Sequence, residues 1–206
     1  MKFHTLSRIS GAIALICMSS SSLSEERFTP LFENGSSVGY SSRNTDMSSD
    51  GRFVVLSGHY MDSPTGVSVA ISDMAHKTTE YLINPSTGNT LDLDANVDIS
   101  KNGRCVVMQF GEDPLTEGGQ VYTYAYDQAD KSYTELTRSY DGSPLSGCIA
   151  LKRAHAALVS DVSNNGIAVF ESTCSNLVPN DDNYSSDVFS YDLNSGQISL
   201  VSHTPN

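Results

Sequence analysis

The apolar and polar positions of the chain divide most of it into short strands separated by polar turns. The strongest signal is a run of four apolar residues that follows an Asp-Gly or Asn-Gly pair, because such pairs adopt the positive φ angles of tight turns at low cost. The run occurs at residues 53–56, 105–108 and 167–170, with one extra residue after the glycine in the first two cases. Because the runs are apolar without clean alternation, we predict strands that are buried on both faces.

The turns belong to a repeat that occurs three times. Each copy reads Asp, an apolar residue, Ser, two polar residues and Gly, and the apolar run follows. The aligned residues are Asp46, Asp98 and Asp161, then Ser48, Ser100 and Ser163, then Gly51, Gly103 and Gly166. This pattern predicts a β-hairpin at the start of each copy.

A second hairpin follows the first one in each copy. Its strands are predicted at 67–71 and 79–83, at 120–126 and 132–136, and at 187–191 and 198–202. Four short antiparallel strands in roughly 40 to 45 residues are typical of one β-propeller blade. An antiparallel sandwich of short strands is the alternative interpretation.

The third copy carries a more specific signal. Residues 161–202, DVSNNGIAVFESTCSNLVPNDDNYSSDVFSYDLNSGQISLVS, resemble a β-propeller repeat of the TolB-like, WD-repeat-related kind found in exported bacterial proteins. Residues 27–29 resemble the closing strand of a preceding blade. The resemblance implies blades that pack radially around a channel, and it implies no single activity. Two features depart from it: residues 139–155 are an insertion, and the first two copies lack the segment at 176–183.

These observations predict an all-β chain made of three four-stranded antiparallel β-propeller blades and an N-terminal strand. The blades are expected at about 44–84, 96–137 and 157–203. Propeller rings usually contain about four to eight blades, so one chain would form an incomplete ring. We expect self-association or a protein partner to complete it. The alternative is that the sequence is a truncated fragment of a longer propeller protein.

Residues 1–24 have the three parts of a secretory signal peptide. Lys2 and Arg8 supply the positive charge, residues 9–18 supply a short apolar core, and small residues follow. We therefore predict a periplasmic or secreted protein, with an N-terminal strand and linker at residues 25–43. No apolar run reaches the roughly 18 residues that span a bilayer, so we expect no transmembrane segment in the mature chain.

Charge and cysteines narrow the interpretation further. Lys and Arg total 12 while Asp and Glu total 24, which gives a formal net charge of −12 and argues against nucleic-acid partners. An oxidising compartment permits disulfides, and the loop-like surroundings of Cys148 and Cys174 predict that these two pair. Cys105 lies within an apolar run and is expected to be a small buried residue.

A group of acidic and amide side chains between two strands of the third copy is the sharpest local feature. It contains Asp181, Asp182, Asn183 and Asp187. The favoured interpretation is an Asx-rich turn whose side chains cap their own backbone. The alternative is a structural calcium site, because Ca²⁺ prefers several oxygen ligands from one loop.

The sequence contains no zinc-binding helix motif and no nucleophile elbow. We therefore predict a non-catalytic exported module that binds a protein or another ligand, without a required cofactor. The alternative is an enzyme that acts on a polysaccharide or glycan through loops at the channel. His59, His155 and Asp181 are the residues whose substitution would test that alternative.

Overall fold

The computed structural model describes residues 40–60, 67–83, 96–111, 121–148 and 160–202, apart from residues 182 and 184, together with Pro85 and Gly88. These residues form twelve β-strands in three four-stranded antiparallel sheets. Each strand pairs with its neighbour in sequence, so every sheet is an up-and-down meander. Within these ranges there is no helix that could cross a membrane.

The three sheets follow one another along the chain. The first contains β1 (Tyr40–Met47), β2 (Phe53–Tyr60), β3 (Val67–Asp73) and β4 (Thr78–Leu82). The second contains β5 (Asn96–Ile99), β6 (Cys105–Gly111), β7 (Val121–Asp127) and β8 (Ser132–Glu135). The third contains β9 (Ser160–Val162), β10 (Ile167–Ser172), β11 (Asp187–Asp192) and β12 (Gln197–Leu200).

The predicted all-β fold of four-stranded antiparallel blades is confirmed. The first strands of the sheets lie side by side, with β5 in contact with both β1 and β9. Such strands are the inner strands of propeller blades, and the remaining strands of each sheet extend outwards from them. The described residues form three blades and no closed ring.

The first turn of each copy is built on its serine. Gly51 N–H donates to Ser48 O at 2.9 Å, and Phe53 N–H donates to Ser48 Oγ at 3.0 Å. The other copies repeat both bonds around Ser100 and Ser163. Within these three turns, the glycine is the residue with a positive φ angle, which is 70°, 76° and 80° in the first, second and third copy. The preceding Asp50 instead accepts a hydrogen bond from Ser48 Oγ at 2.6 Å, so one residue of each expected pair needs the left-handed conformation.

Neighbouring turns are also joined to each other. Ser49 N–H donates to Lys101 O at 2.8 Å, and Asn102 N–H donates to Asn164 Oδ1 at 2.7 Å. The first turn therefore donates a hydrogen bond to the second, and the second donates one to the third.

The strands β3, β7 and β11 each end at an aspartate, which is Asp73, Asp127 or Asp192. Asp73 is paired with Phe53, and its carboxylate lies 2.9 Å from the Arg52 guanidinium. Arg104 and Asp127 form the same contact at 2.8 Å in the second sheet. These ion pairs fasten the open end of the hairpin in the first two sheets, whereas Asp192 in the third sheet accepts hydrogen bonds from Asn194 N–H and Ser195 Oγ. The strand pattern alone does not encode these contacts.

Two apolar clusters lie between the sheets. We call the face that a sheet turns towards the following blade its trailing face, and the opposite face its leading face. One cluster joins the trailing face of the first sheet to the leading face of the second, where Tyr124 and Tyr126 are buried. The other cluster joins the second sheet to the third, where Phe170 stacks on Phe189 with ring centroids 5.8 Å apart. The second sheet is therefore covered on both faces.

Several predicted features lie outside the described residues. They are the signal peptide at 1–24, the strand at 27–29 and the last part of the insertion, at 149–155.

Candidate functional site

The trailing face of the third sheet is exposed at positions that are buried in the second sheet. The strand register places Ile167 and Val169 where the second sheet has Cys105 and Val107. Cys105 is 8% exposed and Val107 is fully buried, whereas Ile167 is 37% exposed and Val169 is partly exposed. The expectation that this third run is buried on both faces is therefore wrong, because no described sheet covers it.

This exposed face is apolar in the middle and acidic around it. Val169 and Val188 lie on neighbouring strands at its centre. The register places three carboxylates on the same face, which belong to Asp161, Glu171 and Asp192. The side chains that β9 to β12 place on this face include no Lys or Arg. A complementary surface would be apolar with basic groups at its edge.

The aligned aspartates lie on the inner strands, and two of them meet between the first and second sheets. Asp46 Oδ2 accepts a hydrogen bond from Ile99 N–H at 3.2 Å, and Asp98 Oδ1 accepts one from the same N–H at 2.7 Å. Lys101 Nζ lies 3.9 Å from Asp46 Oδ1. Two carboxylates thus share one donor in a half-buried place, which favours a protonated form of one of them.

Burial and the neighbouring carboxylates of Asp46 and Asp161 raise the pKa of Asp98 to about 7. Burial acts in the same direction on Asp46. However, hydrogen bonds from Asp98 and from the backbone outweigh burial and lower the pKa of Asp46. The proton therefore resides on Asp98, the carboxyl in the middle of the row of inner strands.

This raised pKa predicts a pH-dependent stability. Between the ordinary pKa of an aspartate and about pH 7, the folded state holds a proton that the unfolded state has lost, so stability falls as the pH rises through this range. Asp98→Asn is expected to remove the fall. It should raise the free energy of unfolding at about pH 8 by about 1 kcal/mol, after allowance for solvent screening, and by nothing at about pH 4. Urea denaturation across this range measures both.

Asp50→Asn is the matched control for this prediction. The pKa of Asp50 is lowered by hydrogen bonds from Ser48 Oγ and from the Arg52 amide, so its titration lies below the range in question. Its substitution should leave the slope of stability against pH unchanged. A wild-type protein whose stability is flat between pH 5 and 8 would contradict the assignment to Asp98.

A polar contact closes the outer part of the same interface. Tyr126 Oη donates to Glu80 Oε1 at 2.6 Å, and Lys131 Nζ donates to the other carboxylate oxygen. Burial opposes ionisation of Glu80, but the bonds from Lys131 and Tyr126 outweigh burial and lower its pKa. An acid on one trailing face thus receives donors from the following blade.

The acidic loop of the third copy, for which an Asx-rich turn is the favoured interpretation and a calcium site the alternative, is held by its own hydrogen bonds. Asn183 Nδ2 donates to Asp187 Oδ2 at 2.8 Å, and Ser202 Oγ donates to Asp187 Oδ1 at 2.6 Å. Asn183 Oδ1 accepts the Ser185 N–H at 2.8 Å, as in an Asx turn. Asp181 is buried, and Asp182 lies outside the described residues. Among the residues described there is no cluster of three acidic, His or Cys side chains, and calcium at this loop stays a prediction.

The insertion that begins at residue 139 contacts the segment that begins at residue 176, and these are the two features by which the chain departs from the propeller repeat. Cys148 and Cys174 form a disulfide, and Cys105 is a buried free thiol whose pKa is raised by burial. Tyr140 N–H donates to Asn176 O at 3.1 Å, and Asn176 Nδ2 donates to Pro144 O at 2.9 Å. The insertion is therefore docked on the segment that only the third copy contains. The sequence presents these as two separate irregularities.

Two of the three residues named for a test of catalysis have no described side chain. His155 lies outside the described residues, and His59 belongs to β2 without a described side chain. His76 is described, and its Nδ1 lies 2.8 Å from Asp73 Oδ2 in the exposed group that also contains Arg52. This arrangement joins the start of β2 to the turn between β3 and β4.

No protein-family model matches the sequence, and no curated protein matches it. Several solved structures overlap with it. The chain overlaps with a structure from a study of two prolyl endopeptidases at 12% identity and a TM-score of 0.47, covering 81% of this chain and 22% of that one. The tricorn protease has 9% identity to the chain and a TM-score of 0.35, and the match covers 77% of this chain and 22% of that one. Porphyromonas gingivalis dipeptidyl peptidase 4 has 12% identity to the chain and a TM-score of 0.31, and the match covers 76% of this chain and 30% of that one. The chain thus spans less than a third of the length of these proteins, and its fold is defined by its own sheets.

Proposed function

We propose that the chain is an exported, non-catalytic β-propeller module of the TolB-like kind that binds another protein through the trailing face of its third sheet. The observation that carries the proposal is the exposure of Ile167 and Val169, whose counterparts in the second sheet are covered by the following blade. Exposed apolar patches with polar rims are typical of protein-binding surfaces. The propeller frame holds this face rigidly, which limits the entropy lost on binding.

The two internal interfaces indicate the chemistry of the partner. In the first of them, Asp46 on the trailing face accepts an N–H from the next inner strand, and Glu80 accepts donors from Tyr126 and Lys131. Asp161 and Glu171 offer the same kind of acceptor on the exposed face. The partner is therefore a β-sheet surface with apolar side chains, free backbone or side-chain donors, and basic groups.

A second copy of the chain fits this face less well. Two trailing faces brought together would place the carboxylates of Asp161, Glu171 and Asp192 near their own copies, which disfavours a symmetric dimer. The leading face of the first sheet is buried at Val54 and Leu56, and of its described large apolar side chains only Met47 and Tyr81 at its edges are about half exposed, so it offers a small surface for a head-to-tail contact. A different protein is the better occupant.

Site-specific photocrosslinking in the producing cells tests the proposal. A photoreactive amino acid in place of Val188 should crosslink the chain to a second protein, and Val169→Asp should reduce the yield at least tenfold. The same photoreactive residue at Tyr140, which is exposed on the insertion, is the control and should give no such product. No crosslink from position 188, or equal crosslinking from both positions, would contradict binding at this face.

A further inference from the structure

Two buried side chains at equivalent positions each contain an oxygen without a hydrogen-bond partner among the described groups of the protein. Ser57 is 1% exposed and Gln109 is fully buried, and both lie on the trailing face of their sheet. The register sets each one opposite an inner-strand asparagine, Asn44 for Ser57 and Asn96 for Gln109. Ser57 Oγ and Gln109 Oε1 are the two buried side-chain atoms without a partner in the described part of the chain.

The orientation of the Gln109 amide is fixed by its own bonds. Its Nε2 donates to Thr123 Oγ1 at 3.1 Å and to Glu171 O at 3.2 Å. The backbone carbonyl of Glu171 can only accept, so the nitrogen must be the atom that faces it. Both amide hydrogens are therefore engaged within the interface between the second and third sheets, and Oε1 is left as an acceptor that needs a donor.

The surroundings of both atoms are polar. Asn44 Nδ2 donates to Asn96 Oδ1, so the two asparagines opposite Ser57 and Gln109 are bonded to each other across the first interface. Thr123 lies beside Gln109, and its own N–H is bonded to Thr137 Oγ1 at 3.0 Å. A run of polar groups thus passes from one interface to the next near the inner strands.

A buried polar atom without a partner is costly, and native proteins satisfy such atoms with enclosed water. The same unpaired position in two successive interfaces points to a repeated feature of the blades and not to a local defect. A hydroxyl and an amide oxygen in an uncharged setting suit a neutral donor better than a cation.

We propose that each of the two blade interfaces encloses a structural water molecule, one bonded to Ser57 Oγ and one to Gln109 Oε1. Each water donates to its protein oxygen and exchanges slowly with solvent, because the sheets cover it on both sides. The waters bridge the inner strand of a blade to its neighbouring strand where side chains alone do not complete the hydrogen bonding.

Magnetic relaxation dispersion of the solvent nuclei counts long-lived internal waters in the folded protein. We expect the number of long-lived internal waters to be one lower in Ser57→Ala than in the wild-type protein, and one lower in Gln109→Met. Ser72→Ala is the matched control, because Ser72 is equally buried but its Oγ lies 3.1 Å from Thr79 Oγ1 and has a protein partner. Its count should stay at the wild-type value. An unchanged count in both Ser57→Ala and Gln109→Met would overturn the proposal.

The sign of the change in melting temperature gives a second measurement. If Ser57 Oγ were unpaired and dry, its removal in Ser57→Ala would raise the melting temperature, because an unsatisfied buried group would disappear. If it holds a water, the melting temperature falls or stays unchanged. A rise therefore contradicts the proposal. Should the variants fail to fold, a crystal structure of the wild-type chain decides, since water must lie within about 3.2 Å of both oxygens.

Discussion

Phe170→Ala is expected to lower the free energy of unfolding by about 3 to 5 kcal/mol. Phe170 is fully buried between the second and third sheets and stacks on Phe189. Its removal leaves a cavity within an interface whose sheets are each fixed by their own hydrogen bonds, so the walls cannot close around it. Urea denaturation at neutral pH, followed by circular dichroism, measures the loss.

Val169→Ala is the matched control, because Val169 is the adjacent residue on the same strand and faces the other way. Its side chain is partly exposed on the trailing face, so we expect a loss below about 1 kcal/mol. A loss comparable to that of Phe170→Ala would mean that the trailing face is covered in the isolated chain. That result would also contradict its proposed role as a free binding surface.

Gly103→Ala should destabilise the fold by about 2 to 4 kcal/mol. Gly103 has a φ of 76°, which an alanine adopts only at a cost of about 1 to 2 kcal/mol. An added Cβ would also lie 2.6 Å from Phe53 Cδ2 and 3.3 Å from Ser48 Cβ, both in the preceding blade. The turn of the second copy would have to move away from the first sheet, which weakens the interface that Phe53 helps to form.

Gly51→Ala separates these two contributions. Gly51 has nearly the same φ, 70°, but its added Cβ would have nothing within 4 Å. Its substitution should therefore cost only the conformational part, about 1 to 2 kcal/mol. Thermal and urea unfolding of the two variants give the difference. Equal losses would show that Phe53 adjusts freely and that the close approach of the second turn does not stabilise the interface.

The sequence pattern predicts the strands well because their causes are local. An apolar run after an Asn-Gly pair specifies a turn and a strand within a few residues. The burial of a sheet face cannot be predicted in this way, because it depends on whether another sheet packs against that face. Residues 53–56 and 167–170 are similar apolar runs. Nevertheless Val55 is fully buried and Val169 is partly exposed, because a described sheet covers the first position and none covers the second.

The candidate sites could be predicted only in part. The alignment of Asp46 with Asp98 was visible in the sequence, and it marks a position on each inner strand. Their sharing of the Ile99 N–H depends on the side-by-side packing of β1 and β5, which the spacing of the repeat does not specify. The equivalence of Ser57 and Gln109 was hidden, since the two side chains differ and only the strand register aligns them.

The pairing of every strand with its sequence neighbour has a consequence for how the molecule forms. Each sheet closes through loops between strands that are neighbours in sequence, so forming a blade does not depend on the later parts of the chain. The first interface can assemble once the second copy is present, before the third has been made. Folding can therefore proceed in the order of synthesis, one blade at a time.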